Sequence, residues 1–322
     1  MEVATNKIVF LDAYTNNPGD ITFEPLSILG DFVAYDRTSM EELPDRVKHA
    51  DIVIVNKFKV DEVSLALMEN VKYIVVAATG YNNIDVSAVK KRGIPVSNVS
   101  GYSIHSVAQH VFASIFALLN RHEYYDAEVK AGRWAKAPDF CFYDQPIFEL
   151  YGKTMGVVGY GDIGRRVGDL ALAFGMKVIV HTRDTSKSKP DPVAFVDLDT
   201  LWADSDFVSL HCPLTEQTNQ LVRKENLRKM KPTAILINTG RGALVHEMDL
   251  FYALDHGTIQ AAALDVLTQE PPALHNPLLN HPNCLVTPHI AWAGQDARKK
   301  LIQGIAENIT SYLNGNPRNI VG

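Results

Sequence analysis

The chain has 322 residues, 37 acidic against 31 basic side chains, a formal net charge of −6 and 46% hydrophobic residues. This is enough length for two ordinary domains with large buried cores. The lack of a basic block argues against a nucleic-acid partner, and no apolar run reaches the roughly 20 residues of a membrane span. The three cysteines, Cys141, Cys212 and Cys284, are far apart and form no Cys-x-x-Cys pair. Disulfide and zinc readings therefore both fail, and a reducing, cytoplasmic setting is expected. The mostly polar stretch Met1–Lys7 lacks the apolar run and cleavage site of a secretory signal.

Short apolar runs alternate with helical patterns over the first hundred residues. Strands are predicted at Ile8–Leu11, Phe32–Tyr35, Ile52–Val55, Tyr73–Ala77 and Ile94–Val96, with amphipathic segments such as Met40–His49 and Val60–Glu69 between them. Continuous apolar strands separated by helices indicate a parallel sheet covered on both faces. Ile104–Leu119 is apolar nearly all round, which predicts a buried helix. Asn120–Tyr151 is aromatic and poorly periodic, and reads as an arm packed against something, such as a second copy of the chain. A second α/β series opens at Met155–Val158 and continues through Val178–His181, Phe207–His211, Ala234–Ile237, Ala261–Leu264 and Cys284–Thr287. The last helix, Arg298–Leu313, is expected to return to the first domain. The division expected is residues 1–100 plus 290–322 as a discontinuous substrate-binding domain. Residues 101–289 would be a dinucleotide-binding domain inserted into it, with two crossing segments as a hinge.

Gly159-Tyr160-Gly161-Asp162-Ile163-Gly164 follows the strand Thr154–Val158 and opens a helical pattern. A lone G-x-G-x-x-G is a weak signal, but the strand–turn–helix context makes it a candidate pyrophosphate loop. The first glycine permits the tight turn and the second admits the phosphates. The third lets the helix sit against the strand. The following strand ends Val180-His181-Thr182-Arg183-Asp184. An acid near that end would bind the ribose hydroxyls of NAD. Arg183 could instead pair with a 2′-phosphate, with Lys187 and Lys189 close by, while Asp184 keeps NAD open.

Arg241, Glu270 and His289 supply a cation, a carboxylate and an imidazole. These are the groups needed to hold an anionic 2-oxo acid and protonate its carbonyl. They are separated by 29 and 19 positions, which fits successive strand ends on one sheet edge, where open α/β sheets bind ligands. His105 and His110 lie five apart rather than four, so no metal site is expected on that helix.

The chain resembles the D-isomer-specific 2-hydroxyacid dehydrogenase family, and most closely its glycerate dehydrogenase (hydroxypyruvate reductase) branch, over nearly its whole length. The resemblance is carried by Ala78-Thr79-Gly80-Tyr81-Asn82-Asn83-Ile84-Asp85, Ser106-Val107-Ala108-Gln109-His110, the glycine loop, His211-Cys212-Pro213-Leu214-Thr215, and the segments around Arg241, Glu270 and His289. Gln109 departs from the glutamate common at that position. The fold so implied is α/β, two doubly wound parallel-sheet domains, with a Rossmann-type cofactor domain inserted into a flavodoxin-like substrate domain. In this reading His289 is the acid and Glu270 holds its imidazolium form. Arg241 clamps the substrate carboxylate, with backbone N–H groups near Thr79 and Gly80 on its other side and Trp292 over the substrate. The resemblance further implies cofactor contacts at Ser106, Gly159–Gly164, Thr182, Arg183, His211, Cys212, Pro213, Asn238, Thr239, Gly240 and Asp265, the last accepting from the nicotinamide carboxamide. The family's ribose acid falls on Thr182, whose lack of charge favours NADP(H) without excluding NAD(H).

The expected function is hydride transfer between NAD(P)(H) and a small 2-hydroxy/2-oxo acid. The expected pair is D-glycerate and hydroxypyruvate, with glyoxylate as a second substrate. Hinges are expected near Asn98–Ser103 and Pro288–Gly294. Two alternatives stand beside it: an NAD(H)-sensing corepressor-like binding protein, and a dehydrogenase of the same family with another substrate. A homodimer is expected from the family and the aromatic arm.

Overall fold

The computed structural model describes residues 6–184 and 191–321; Lys187 and Lys189 lie outside them. The chain forms two compact units, one of residues 1–103 with 292–322 and one of residues 104–291.

The first unit carries β1 (Lys7–Phe10), β2 (Asp31–Ala34), β3 (Ile52–Val55), β4 (Tyr73–Val76) and β5 (Val96–Asn98) in the order β2-β1-β3-β4-β5. All pairings are parallel, which is the flavodoxin-like arrangement. The central strands are apolar on both faces because both are covered. Val9, Val53, Val55, Ile74 and Val76 meet Leu43, Val47, Leu65 and Val89 on one side. Ile8, Phe10, Ile52, Ile54 and Val75 meet Leu301, Ile302, Ile305 and Ile309 of the helix Gln295–Leu313 on the other. Each such side chain contributes roughly 1.5–3 kcal/mol by leaving water.

The strand predicted at Ile94–Val96 is displaced to Val96–Asn98. Ile94 donates its N–H to Val89 and Gly93, at φ +66°, donates to Lys90. Both residues thus cap the helix Val86–Lys91. Pro95 has no N–H, so the ladder begins after it.

The second unit carries β6 (Thr154–Val158), β7 (Lys177–His181), β8 (Ala194–Phe195), β9 (Phe207–Leu210), β10 (Ile235–Asn238), β11 (Ala261–Leu264) and β12 (Cys284–Val286). Their order is β12-β11-β10-β9-β6-β7-β8, parallel throughout. Counted within the unit this is 7-6-5-4-1-2-3, the Rossmann order with one further strand, and it reverses between β6 and β9. β8 is only two residues long and has no counterpart among the predicted strands.

The helix Ile104–Asn120 buries Ala108, Val111, Phe112, Ile115 and Leu119 against this unit's sheet core, while Gln109, Ala113 and Ala117 are exposed. It is therefore buried along one face rather than all round. The expected arm contains a regular helix, His122–Lys130, which buries no residue. Without an apolar stripe it has no periodic signature in the sequence. Beyond it Arg133 ties the arm together, reaching Glu128 at 3.0 Å, Asp144 at 2.9 Å and the Tyr124 hydroxyl at 3.1 Å.

Candidate active site

The strand order of the second unit places its ligand edge at the carboxyl ends of β6 and β9 to β12. β6 runs into the glycine loop. Gly159 has φ +94°, and a Cβ there would lie 2.6 Å from the Cys212 amide nitrogen at the end of β9. Any side chain would force the two strand ends apart. A Cβ on Gly164 would lie 2.1 Å from the Gly159 carbonyl oxygen, so the helix Asp162–Ala173 packs directly on the turn.

At Gly161 a Cβ would meet nothing within 4 Å. Gly161 is the N-cap and offers no side-chain acceptor to the first N–H groups of the helix. Open space in front of such donors fits a pyrophosphate. A second observation fits as well: Thr239 Oγ1 is buried with no hydrogen-bond partner among the described residues, at the end of β10. Asp162 is exposed in the first helical turn. The Tyr160 side chain, 2% exposed, turns into the core, where Phe195 meets its ring edge-on. Ile163 packs against the same core. These two residues offer the loop their backbones, not their side chains.

At the end of β7, Thr182 is partly buried and Arg183 and Asp184 are exposed. Arg183 makes no ion pair among the described residues. His211 Nε2 lies 2.8 Å from the Ser209 hydroxyl, and burial pushes its imidazole down to about 4, so it is neutral at ordinary pH. Burial pushes the Cys212 thiol up to about 11, which keeps it protonated. Pro213 is exposed beside it. Ser106, on the long helix, donates to the Ala291 carbonyl at 2.7 Å.

Arg241, Glu270 and His289 follow β10, β11 and β12, three neighbouring strands. Asn238 shapes the first of these turns. Its amide nitrogen donates to the Arg241 carbonyl at 2.9 Å and its amide oxygen accepts from Gly240 N–H at 3.0 Å. Arg241 donates from Nη1 to the Gly240 carbonyl at 2.8 Å. Gly242 is the point of contact with the next turn, because a Cβ there would lie 2.0 Å from the Leu267 carbonyl carbon. Only a glycine lets the Arg241 turn lie flat on the turn that carries Glu270.

Glu270 Oε1 accepts from Leu267 N–H at 3.0 Å and Oε2 lies 2.6 Å from His289 Nδ1. His289 has φ +55°, a left-handed conformation that costs a non-glycine residue about 1–2 kcal/mol. It is held by its N–H, which donates to the Asp265 carbonyl at 2.8 Å and the Thr287 carbonyl at 3.0 Å. The Asp265 carboxylate, on a residue only 2% exposed, accepts from Ile290 N–H at 2.9 Å and Ala291 N–H at 2.8 Å. It also accepts from the Thr287 hydroxyl at 2.6 Å.

Some supporting residues carry no local signal. Glu247 accepts from Thr268 N–H at 2.6 Å and from the Asn276 side chain at 2.7 Å, fixing the loop around Glu270. It lies more than twenty residues from both partners, and in sequence it reads only as an acid in a helix's first turn. No cluster of three or more His, Cys, Asp or Glu side chains able to hold a metal occurs among the described residues. No helix among them is long and apolar enough to cross a membrane.

In the first unit Thr79 Oγ1 donates to the Val99 carbonyl at 3.1 Å, and the Thr79 carbonyl accepts from the Asn98 side chain at 2.7 Å. Gly80 follows it in the loop after β4, partly buried. Trp292 meets Tyr102 edge-to-face at 6.4 Å.

A Rossmann sheet with an open glycine loop at its switch point, and a carboxylate–imidazole pair three and four strands further along the edge, defines the class of nicotinamide-dependent α/β dehydrogenases. Residues 112–291 match the family described as D-isomer specific 2-hydroxyacid dehydrogenase, NAD binding domain. The chain is 42% identical over 319 residues to a hydroxypyruvate reductase of Blautia hydrogenotrophica, covering 98% of this chain and 99% of that one. It is 38% identical over 323 residues to a glycerate dehydrogenase of Methylorubrum extorquens, covering 98% and 99%. Among solved structures, an acyclic imino acid reductase (Bsp5) in complex with NADPH and D-Arg superposes with a TM-score of 0.84 at 33% identity, covering 98% of this chain and 100% of that one. The chain belongs to the D-isomer specific 2-hydroxyacid dehydrogenase family.

Proposed function

We propose that this dehydrogenase reduces hydroxypyruvate to D-glycerate, with glyoxylate as a smaller substrate, and catalyses the reverse oxidation. The observation that carries the reading is the 2.6 Å contact between Glu270 Oε2 and His289 Nδ1. The names of the two relatives support the choice of substrate.

The bound reduced nicotinamide supplies a hydride to the carbonyl carbon. The π pair of the C=O bond then moves to oxygen, which takes a proton from His289 Nε2. Glu270 stabilises the imidazolium before that transfer and orients the ring. Such positioned proton transfer is worth roughly 10²–10⁴ in rate. Arg241 binds the substrate carboxylate through its planar fork and polarises the carbonyl. The N–H groups at Thr79 and Gly80 add to carboxylate binding, and Trp292 limits the side chain accepted. Gly159–Gly164, Ser106, Asn238–Gly240, His211–Pro213 and Asp265 are the residues assigned to the dinucleotide.

For the coenzyme the reading favours NADP(H). Thr182 brings no charge against a 2′-phosphate and Arg183 is an exposed cation beside it. The structural relative with NADPH points the same way. A cytoplasmic homodimer, with a second copy on the aromatic arm, completes the proposal. Trp134, Phe140, Tyr143 and Phe148 of that arm are exposed.

The test is a panel of 2-oxo acids with each reduced coenzyme, followed by loss of nicotinamide absorbance. Hydroxypyruvate is expected to give the highest kcat/KM. No turnover with any 2-oxo acid would overturn the proposal, and a branched or aromatic acid in first place would overturn the substrate.

A further inference from the structure

His289 is held in its left-handed conformation by neighbours that have no part in the proton transfer itself. Three successive N–H groups, of His289, Ile290 and Ala291, all end on Asp265: the first on its carbonyl, the others on its two carboxylate oxygens. Whatever fixes that carboxylate fixes the backbone that aims the imidazole.

The proton count along the next contacts is determined. A carboxylate only accepts, so the Thr287 hydroxyl spends its one proton on Asp265 Oδ1 at 2.6 Å. The Thr287 oxygen must then accept in its 3.0 Å contact with His110 Nε2. His110 therefore carries a proton on Nε2, and this proton also lies toward Asp265, with Nε2 and Oδ1 3.6 Å apart. The chain His110 → Thr287 → Asp265 has one direction. It crosses from the long helix Ile104–Asn120 to the ends of β12 and β11.

We propose that Thr287 and His110 are positioning residues for the reaction: through the Asp265 carboxylate they lock the His289 backbone in the conformation that delivers its proton. The inference rests on the reading of His289 as the acid. His110 is a hydrogen-bond donor fixed by the network, whereas His105 is exposed.

The test uses the full-length enzyme and the variants Thr287→Val, Thr287→Ser, His110→Leu and His110→Gln. Two readouts are taken: amide hydrogen–deuterium exchange over residues 288–292 without substrate, and kcat and KM for hydroxypyruvate. Thr287→Val should speed exchange at Ile290 and Ala291 at least tenfold and lower kcat at least tenfold, with KM changed less than threefold. Thr287→Ser should restore both, since it keeps the hydroxyl. His110→Leu should give the same pattern several-fold more weakly, and His110→Gln, which keeps a donor, should restore it. If Thr287→Val does not fold, the His110 pair decides by the same criteria. Unchanged exchange in Thr287→Val and His110→Leu, or failure of both conservative variants to restore kcat, would overturn the proposal. A wild-type enzyme that reduces no 2-oxo acid would instead remove the functional reading, and the exchange data would still decide whether the lock exists.

Discussion

Glu270 Oε2 lies 2.6 Å from His289 Nδ1, while the other oxygen of the same carboxylate accepts the Leu267 N–H at 3.0 Å. The backbone bond fixes the carboxylate, and the carboxylate fixes the ring. Because an ionised carboxylate only accepts, Nδ1 holds its proton and Nε2 is the nitrogen that gains and loses one.

Replacing that imidazole should therefore remove proton delivery while leaving the fold. His289→Ala is expected to lower kcat/KM for hydroxypyruvate by roughly 10²–10⁴. Arg241→Ala should lower kcat and also raise KM, because the guanidinium serves both binding and polarisation. Steady-state rates within threefold of wild type in either variant would refute the assignment.

Glu270→Gln keeps the shape of the contact and removes its charge. An amide can turn either its oxygen or its NH2 toward Nδ1, so the ring loses the acceptor that fixes its tautomer and orientation. kcat for reduction is expected to fall by roughly tenfold or more, with KM little changed. A kcat within threefold of wild type would show that the carboxylate has a different task.

Coenzyme choice is tested at the end of β7. Arg183→Ala should raise KM for NADPH by about tenfold, the scale of a charge-assisted hydrogen bond to phosphate. The effect on NADH should be much smaller. Equal effects on both coenzymes would remove the preference for NADP(H).

Gly242 lets the Arg241 turn rest on the turn carrying Glu270, with only 2.0 Å from a would-be Cβ to the Leu267 carbonyl carbon. Gly242→Ala is expected to destabilise the fold by about 1–3 kcal/mol through overpacking and to lower kcat by separating the two turns. A melting temperature and a kcat both equal to wild type would contradict the close approach.

His211, held neutral down to about 4 by burial, gives a stability signature. Its folded value is below that of the unfolded chain, so the unfolded state takes up the proton first as pH falls. The contribution to stability is complete above the unfolded value near 6.5. It is lost progressively as pH falls toward 4. Denaturant titrations should show a shallower loss over that window in His211→Gln than in the wild type. Identical slopes would refute the buried, neutral state.

Much of this protein is written locally in the chain. Strands covered on both faces are apolar at every position, so β3, β4 and β11 stand out as short runs such as Ile52–Val55. The glycine loop is legible because a strand, a turn and a helix N-terminus are contiguous in sequence. Arg241, Glu270 and His289 are legible because each follows its own strand. The sequence is less informative where burial is absent or shared. The helix His122–Lys130 buries nothing and leaves no stripe, and Ile94 reads as a strand residue although it is spent on a helix cap. Tyr160 sits inside a phosphate-loop motif, yet only packing shows that its ring belongs to the core.

What the residues determine by themselves, then, is the kind of element at each position and the chemical groups at its ends. Hydrophobic periodicity and turn chemistry act over a few residues, and they are fixed before any strand has found its neighbour. Which ends meet is decided by strand order. His110 and Thr287 are 177 positions apart, and Thr287 and Asp265 are 22 apart. Only the placement of β11 beside β12, under the helix Ile104–Asn120, turns them into one hydrogen-bonded chain behind His289.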